Sequence, residues 1–215
     1  MTDDARRPLK SRSTAWARTL AQSLAQSRIT PNQISLASIG FALIGGVFLL
    51  AQQHALALVG AALCIQLRLL CNLIDGMVAI EGGKGTPVGP LYNEIPDRIA
   101  DSLLLIAAGH GCGQIEAGWL AALAAAITAY IRTLGGALGL KQDFRGPQAK
   151  PQRMALLTLA GIAAAIEISF YRSGWSMPVA IWLIAIGSIL TCALRTRAIA
   201  RELTRAASAH APTAD

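Results

Sequence analysis

The sequence predicts an all-α integral membrane protein of about six transmembrane helices, preceded by an amphipathic helix at the membrane interface. Three observations carry that expectation. Of the 215 residues, 53% are hydrophobic and 14% charged, and the mean hydropathy is +0.48, too apolar for a soluble domain of this length. Apolar runs of about 20 residues, the length that crosses a hydrocarbon core of about 30 Å, follow one another along the chain. Basic residues gather at alternate junctions between those runs.

The spans are expected near Asn32–Ala51, Ala55–Ile74, Pro90–Ala108, Ala117–Leu140, Met154–Tyr171 and Met177–Leu194. Residues 1–29 form an N-terminal arm with no apolar core of the signal-peptide kind, and Arg6-Arg7 lacks the run that a twin-arginine signal requires. Within the arm, Ser13 can cap a helix in which Trp16, Leu20 and Leu24 recur every four residues while Arg18, Gln22 and Gln26 take other faces. That pattern suits a helix lying in the interface. Thr30 is placed to cap the first span, with Pro31 at its first helical position. The membrane domain covers 30–195, and a polar tail, 196–215, is expected to fray.

Orientation follows from the basic residues. Arg6, Arg7, Lys10, Arg12, Arg18 and Arg28 precede the first span, and Lys84 lies between the second and third. Lys141, Arg145, Lys150 and Arg153 lie between the fourth and fifth, and Arg195, Arg197, Arg201 and Arg205 follow the last. With six spans these share one side, and the other side carries only Arg172, so both termini are expected in the cytoplasm of a cell-membrane protein. The formal charge of +7 then faces anionic lipid headgroups, and no nucleic-acid-binding module is visible. Cys64, Cys71, Cys112 and Cys192 have no paired spacing and read as small apolar fillers.

Polar side chains inside spans are costly, so each needs a reason. Arg68, Asn72 and Asp75 share one face of the second span, and Asn93, Asp97 and Asp101 one face of the third. Between them runs a glycine-rich stretch, residues 76–89, open enough for a ligand to approach the backbone. Oxygen ligands from two helices suit a hard cation such as Mg2+, which takes one or two carboxylates plus substrate phosphates. Metal-assisted phosphoryl transfer is one reading. The other is an interhelical network in which Arg68 and Arg98 neutralise Asp75, Asp97 and Asp101 with no ligand at all.

The segment from Asn72 through Asp75, Gly76, Ala79 and Gly89 to Asn93 and Asp97 resembles the signature of the CDP-alcohol phosphatidyltransferase family, D-x2-D-G-x2-A-R-x8-G-x3-D-x3-D. Spacing agrees throughout, with identity at Asp75, Gly76, Ala79, Gly89 and Asp97; Asn72 and Asn93 stand where the family has aspartates, and Ile80 where it has arginine. The resemblance implies a membrane enzyme that uses Mg2+ or Mn2+ to move a phosphatidyl or related phosphoalcohol group from a CDP-linked donor to an alcohol, releasing CMP. It makes Asp97 the base and Asp75 and Asp97 metal ligands, with Asn72, Asn93 and Asp101 as the remaining candidates and Glu81 or Glu94 as substitutes for the lost charge. Gly76, Ala79 and Gly89 would border the nucleotide. Lys84, Arg132, Lys150 and Arg153 are candidates for phosphate or acceptor binding, with Arg98 another replacement for the missing arginine. Membrane lipids and a second copy of the chain are the other candidate partners.

The two family aspartates that are asparagine here favour a rival, a relative that binds CDP-lipid or a partner without turnover. A small transporter would call for inverted repeats and mid-membrane charges, and neither is apparent. The basic residues near the site lean toward a phosphorylated acceptor.

Overall fold

The computed structural model describes residues 15–171 and 174–209; the expected Ser13 cap, Arg172 and the last residues of the tail lie outside them. The described residues are helical apart from short connections. α1 is Ala15–Gln26, α2 Pro31–Leu50, α3 Ala55–Ile80, α4 Gly89–Gly111, α5 Ile115–Ala137, α6 Lys150–Tyr171 and α7 Ser176–Ala209.

Five helices, α2, α3, α5, α6 and α7, are long and apolar enough to cross a membrane. α4 occupies the expected third span, and its 23 residues suffice in length, but Glu94, Asp97, Arg98 and Asp101 crowd the stretch up to its middle. The long helices close into a ring. α2 packs on α3 and α4, α4 on α5, α5 on α7, α7 on α6, and α6 returns to α3. The interior is built from small and medium side chains, among them Ala61, Ile65, Leu104, Ala121, Leu157 and Ile184. Many other large apolar side chains point outward, as Leu43, Val47, Leu63, Leu123 and Ile186 do, which is the arrangement expected when the surroundings are lipid.

Local chemistry accounts for the helix ends. Thr30 accepts from the Gln33 amide while the Gln33 side chain accepts from the Thr30 amide, a reciprocal capping box ahead of Pro31. Gly113, with φ +72°, turns the chain between α4 and α5. Two boundaries differ most from expectation. α3 continues six residues past Ile74, since Gly76-Met77-Val78-Ala79-Ile80 buries Met77 and Val78 against α1. α7 continues to Ala209 instead of fraying after Leu194, because the added stretch is rich in alanine, arginine and other strong helix formers.

α1 lies across α3. Its protein-facing side is Ala17 and Ala21, with Leu24 and Ala25 partly buried beside them. The apolar stripe expected at Trp16, Leu20 and Leu24 therefore splits, and Trp16 and Leu20 point away from the protein. Alanine takes the inner face because only a small side chain lets two helix backbones come close.

Candidate active site

The polar stripes of α3 and α4 do not lie side by side. The two helices touch only sparsely and confront one another across the interior of the ring, near the end where α2, α4 and α6 begin. Arg68 spans that interior. Fully buried, it donates from Nη2 to Asp101 Oδ1 at 2.5 Å, to Asp97 Oδ1 at 3.2 Å and to the Asp97 carbonyl at 3.3 Å.

Asp101 is held from the other side by Arg153, 3.0 Å from Oδ2, which also donates to the Gln148 carbonyl at 2.6 Å and to Thr128 Oγ1 at 3.3 Å. Both Asp101 oxygens are thus committed to guanidinium groups. The auxiliary-ligand role expected for Asp101 is not what the geometry offers; a carboxylate between two buried arginines neutralises them, which is what makes their burial tolerable.

Asp97 has a different set of partners. Asn72 donates to Oδ1 at 2.6 Å, the Lys150 ammonium binds Oδ2, and Arg98 lies 3.6 Å from Oδ2. Lys150 and Arg153 occupy the first turn of α6, which contains no acidic residue. Cations there oppose the positive end of the helix dipole, so the facing carboxylates of α4 are what hold them.

Asp75 stands apart. Ser35 of α2 donates to Oδ2 at 2.5 Å, while Oδ1, on a residue only 3% exposed, has no hydrogen-bond partner among the described protein atoms. The expected network in which arginines also neutralise Asp75 does not form. Arg68 Nε and Nη1, Arg98 Nε, Arg153 Nε and Gln148 Oε1 are similarly unpartnered. A centre with this many buried, unsatisfied polar atoms is built to receive something polar.

The remaining candidates divide. Arg132 is drawn to Glu94, 2.5 Å away, and to Gln142, with its guanidinium 5.3 Å from the centre of the Phe144 ring. Glu94 therefore folds inward, whereas Glu81 and Asn93 are exposed. Lys84 is not brought to the centre: its ammonium binds the carbonyls of Ser27 at 2.5 Å, Ile29 at 3.2 Å and Leu24 at 3.4 Å, closing the end of α1. Gly76 and Ala79 lie in the last turns of α3, and Gly89 opens α4 with ordinary space around it. The tight glycine is Gly82, where an added Cβ would come 2.7 Å from Ala25 Cβ and 2.5 Å from the Val78 carbonyl. Its closeness serves α1.

Two residues of the centre were not anticipated. Ser35, beside Ser38 in an apolar span, is the sort of buried hydroxyl whose partner spacing alone does not reveal. Arg195, taken as a topology charge, is 4% exposed and donates to the Arg145 and Thr128 carbonyls at 2.8 Å each. That bond steadies the 138–149 connection, where Arg145 also grips Asp143 through both carboxylate oxygens at 3.0 Å. Burial would raise the Asp143 carboxyl, but the hydrogen bonds and charge of Arg145 prevail and hold it below its usual range.

Among the described residues no three His, Cys, Asp or Glu side chains converge as a ready-made metal site. One divalent cation nevertheless fits the donor set: Asp75 Oδ1 is buried and unclaimed, Asn72 carries an amide oxygen one helical turn away, and phosphate oxygens of a substrate would complete the shell.

No protein-family model matches the chain. It is 25% identical over 191 residues to phosphatidylinositol phosphate synthase of Mycolicibacterium smegmatis, covering 85% of this chain and 83% of that one. It is 27% identical over 200 residues to the Corynebacterium glutamicum enzyme of the same name, covering 87% of each. Among solved structures, Mycobacterium tuberculosis phosphatidylinositol phosphate synthase with CDP-DAG bound superposes with a TM-score of 0.72 at 21% identity, covering 86% of this chain and 94% of the other. The same enzyme in complex with manganese and citrate gives 0.71 over 85% and 88%. The fold is shared.

Proposed function

We propose that this chain is a CDP-alcohol phosphatidyltransferase: it transfers the phosphatidyl group of CDP-diacylglycerol to an alcohol and releases CMP. One observation carries the reading. The two identical aspartates of the family signature, Asp75 and Asp97, reach the same polar centre from α3 and α4, and one oxygen of Asp75 is left unclaimed there. The similarity to synthases of this class over most of both chains supports it.

A divalent cation held at Asp75, with Asn72 beside it, would polarise the donor diphosphate and stabilise the departing CMP. Ser35 fixes the Asp75 carboxylate through Oδ2 and leaves Oδ1 unclaimed. Asp97, oriented by Asn72 and Arg68, takes the proton of the attacking hydroxyl. Arg132 and Arg153 supply positive charge on the α5 and α6 side, suited to a phosphorylated polyol, and inositol phosphate is the acceptor the relatives' names put first.

The membrane placement belongs to the same reading. α4 serves as the sixth span, its charges facing the interior of the ring, and α1 lies in the interface with Trp16 and Leu20 toward lipid. Arg18, Arg28, Lys84, Lys141, Arg145, Lys150, Arg153 and Arg195 all sit at the polar end of the ring, so that end and both termini face the cytoplasm.

A binding protein without turnover is the second reading, favoured by Asn72, Asn93 and Ile80 at signature positions. Purified chain incubated with CDP-diacylglycerol, Mn2+ and a panel of alcohols separates the two. Acceptor-dependent CMP release with formation of the matching lipid supports transfer; donor binding with no CMP from any alcohol supports the rival.

A further inference from the structure

We infer that Lys150 stands in for a second metal ion: its ammonium, bound to Asp97, supplies a built-in positive charge, so the centre works with a single divalent cation. The inference rests on the transfer reading above but concerns a residue to which the signature gives no role.

The charges make the case. Asp97 and Asp101 are ion-paired to three cations, Arg68, Lys150 and Arg153, and the third buried carboxylate, Asp75, which pairs with none of them, brings the sum of these six charges to zero. The surrounding group adds Arg98 and Arg132 against Glu94, one further positive charge. One divalent cation together with a donor diphosphate of about two negative charges leaves the centre close to balance. A second divalent cation would raise the surplus from about one to about three positive charges in a largely buried centre, where screening is weak. Asn72 and Asn93 fit that arithmetic, because each stands where the signature has an aspartate and neither adds the negative charge a second ion needs.

Geometry adds the position. Lys150 binds the Oδ2 of Asp97, on the side away from Asn72 and Arg68, which share Oδ1. A carboxylate bridging two cations is the usual arrangement in two-metal sites. Here the second cation is attached to α6 through a flexible side chain. Lys150 is also a poor choice for the first residue of a helix unless a carboxylate meets it, and Asp97 does.

The test counts ions. Full-length protein in detergent is titrated with Mn2+ in the presence of CDP-diacylglycerol, and free Mn2+ is read by electron paramagnetic resonance. One ion per chain is expected for the wild type and for Asn93→Asp, which keeps Lys150. Asn93→Asp combined with Lys150→Met should take up a second ion at concentrations at least tenfold below any second uptake by the wild type. Asn93→Asp combined with Lys150→Arg should stay at one. Two ions or none on the wild type, two on Asn93→Asp alone, or one on a Lys150→Met double variant whose circular dichroism and melting match the wild type would each overturn the inference. CMP release from the same samples keeps the two ideas separate. Release with two bound ions rejects the lysine role and leaves transfer standing; one bound ion with no release for any alcohol rejects transfer.

Discussion

The two ends of α4 hold the ring together by opposite means. At its start, Asp97 and Asp101 are gripped across the interior by cations from α3 and α6, and six polar side-chain atoms there lack protein partners. About 18 Å further along, at Gly109, the helix lies so close to Gly118 of α5 that an added Cβ would come 2.6 Å from the Gly118 Cα. Leu105, Ala108, Ala117 and Ala121 fill that contact completely. One end is unsatisfied and charged, the other dry and closed. The difference teaches where chemistry can occur, since only an end that keeps free polar atoms has something left to give a substrate.

The largest effect should come at the polar end. Asp97→Asn removes the proposed base, and CMP release should fall by about 10²- to 10⁴-fold, the range for a lost general base, while CDP-diacylglycerol binding is largely retained. Removing a cation there should be felt in stability instead. Arg68→Met leaves Asp97 and Asp101 short of their shared partner, and about 3–5 kcal/mol should be lost, seen as a lower melting temperature in detergent. At the closed end, Gly109→Ala must push α4 from α5, for a loss of about 1–3 kcal/mol. Its turnover per folded molecule should match the wild type.

The smallest expected effect lies in the connection beside the polar end. Asp143→Asn should cost at most about 1 kcal/mol, since Arg145 is largely exposed. Because the folded carboxyl sits below its usual range, this contribution is present at neutral pH and fades as pH falls through that lowered value. The difference in melting temperature between variant and wild type should therefore shrink on acidification toward pH 3.

Much of this contrast was legible in the sequence. Hydropathy located each long helix to within a few residues at most ends, and the four- and three-residue spacings placed Arg68, Asn72, Asp75, Asp97 and Asp101 on interior faces. The misses have physical causes. Hydropathy stops at Leu194 because Arg195 is charged, yet Arg195 is buried on backbone carbonyls, an environment that only tertiary packing creates. Spacing likewise joined Arg68 to the acidic residues without saying which, and the structure gives it to Asp97 and Asp101 while Asp75 goes to Ser35, forty positions away. Lys84 looked available for phosphate because the carbonyls that claim it lie at and just past the end of α1, whose course over α3 no local pattern encodes.

The most direct measurement is CMP release per folded molecule by Asp97→Asn and Gly109→Ala compared with the wild type, under saturating CDP-diacylglycerol, Mn2+ and the best acceptor. Loss of turnover per folded molecule for Asp97→Asn, with a lowered melting temperature and undiminished turnover per folded molecule for Gly109→Ala, is the predicted result. Wild-type turnover in a well-folded Asp97→Asn protein would contradict the account and return Asp97 to a purely structural part in the ion network.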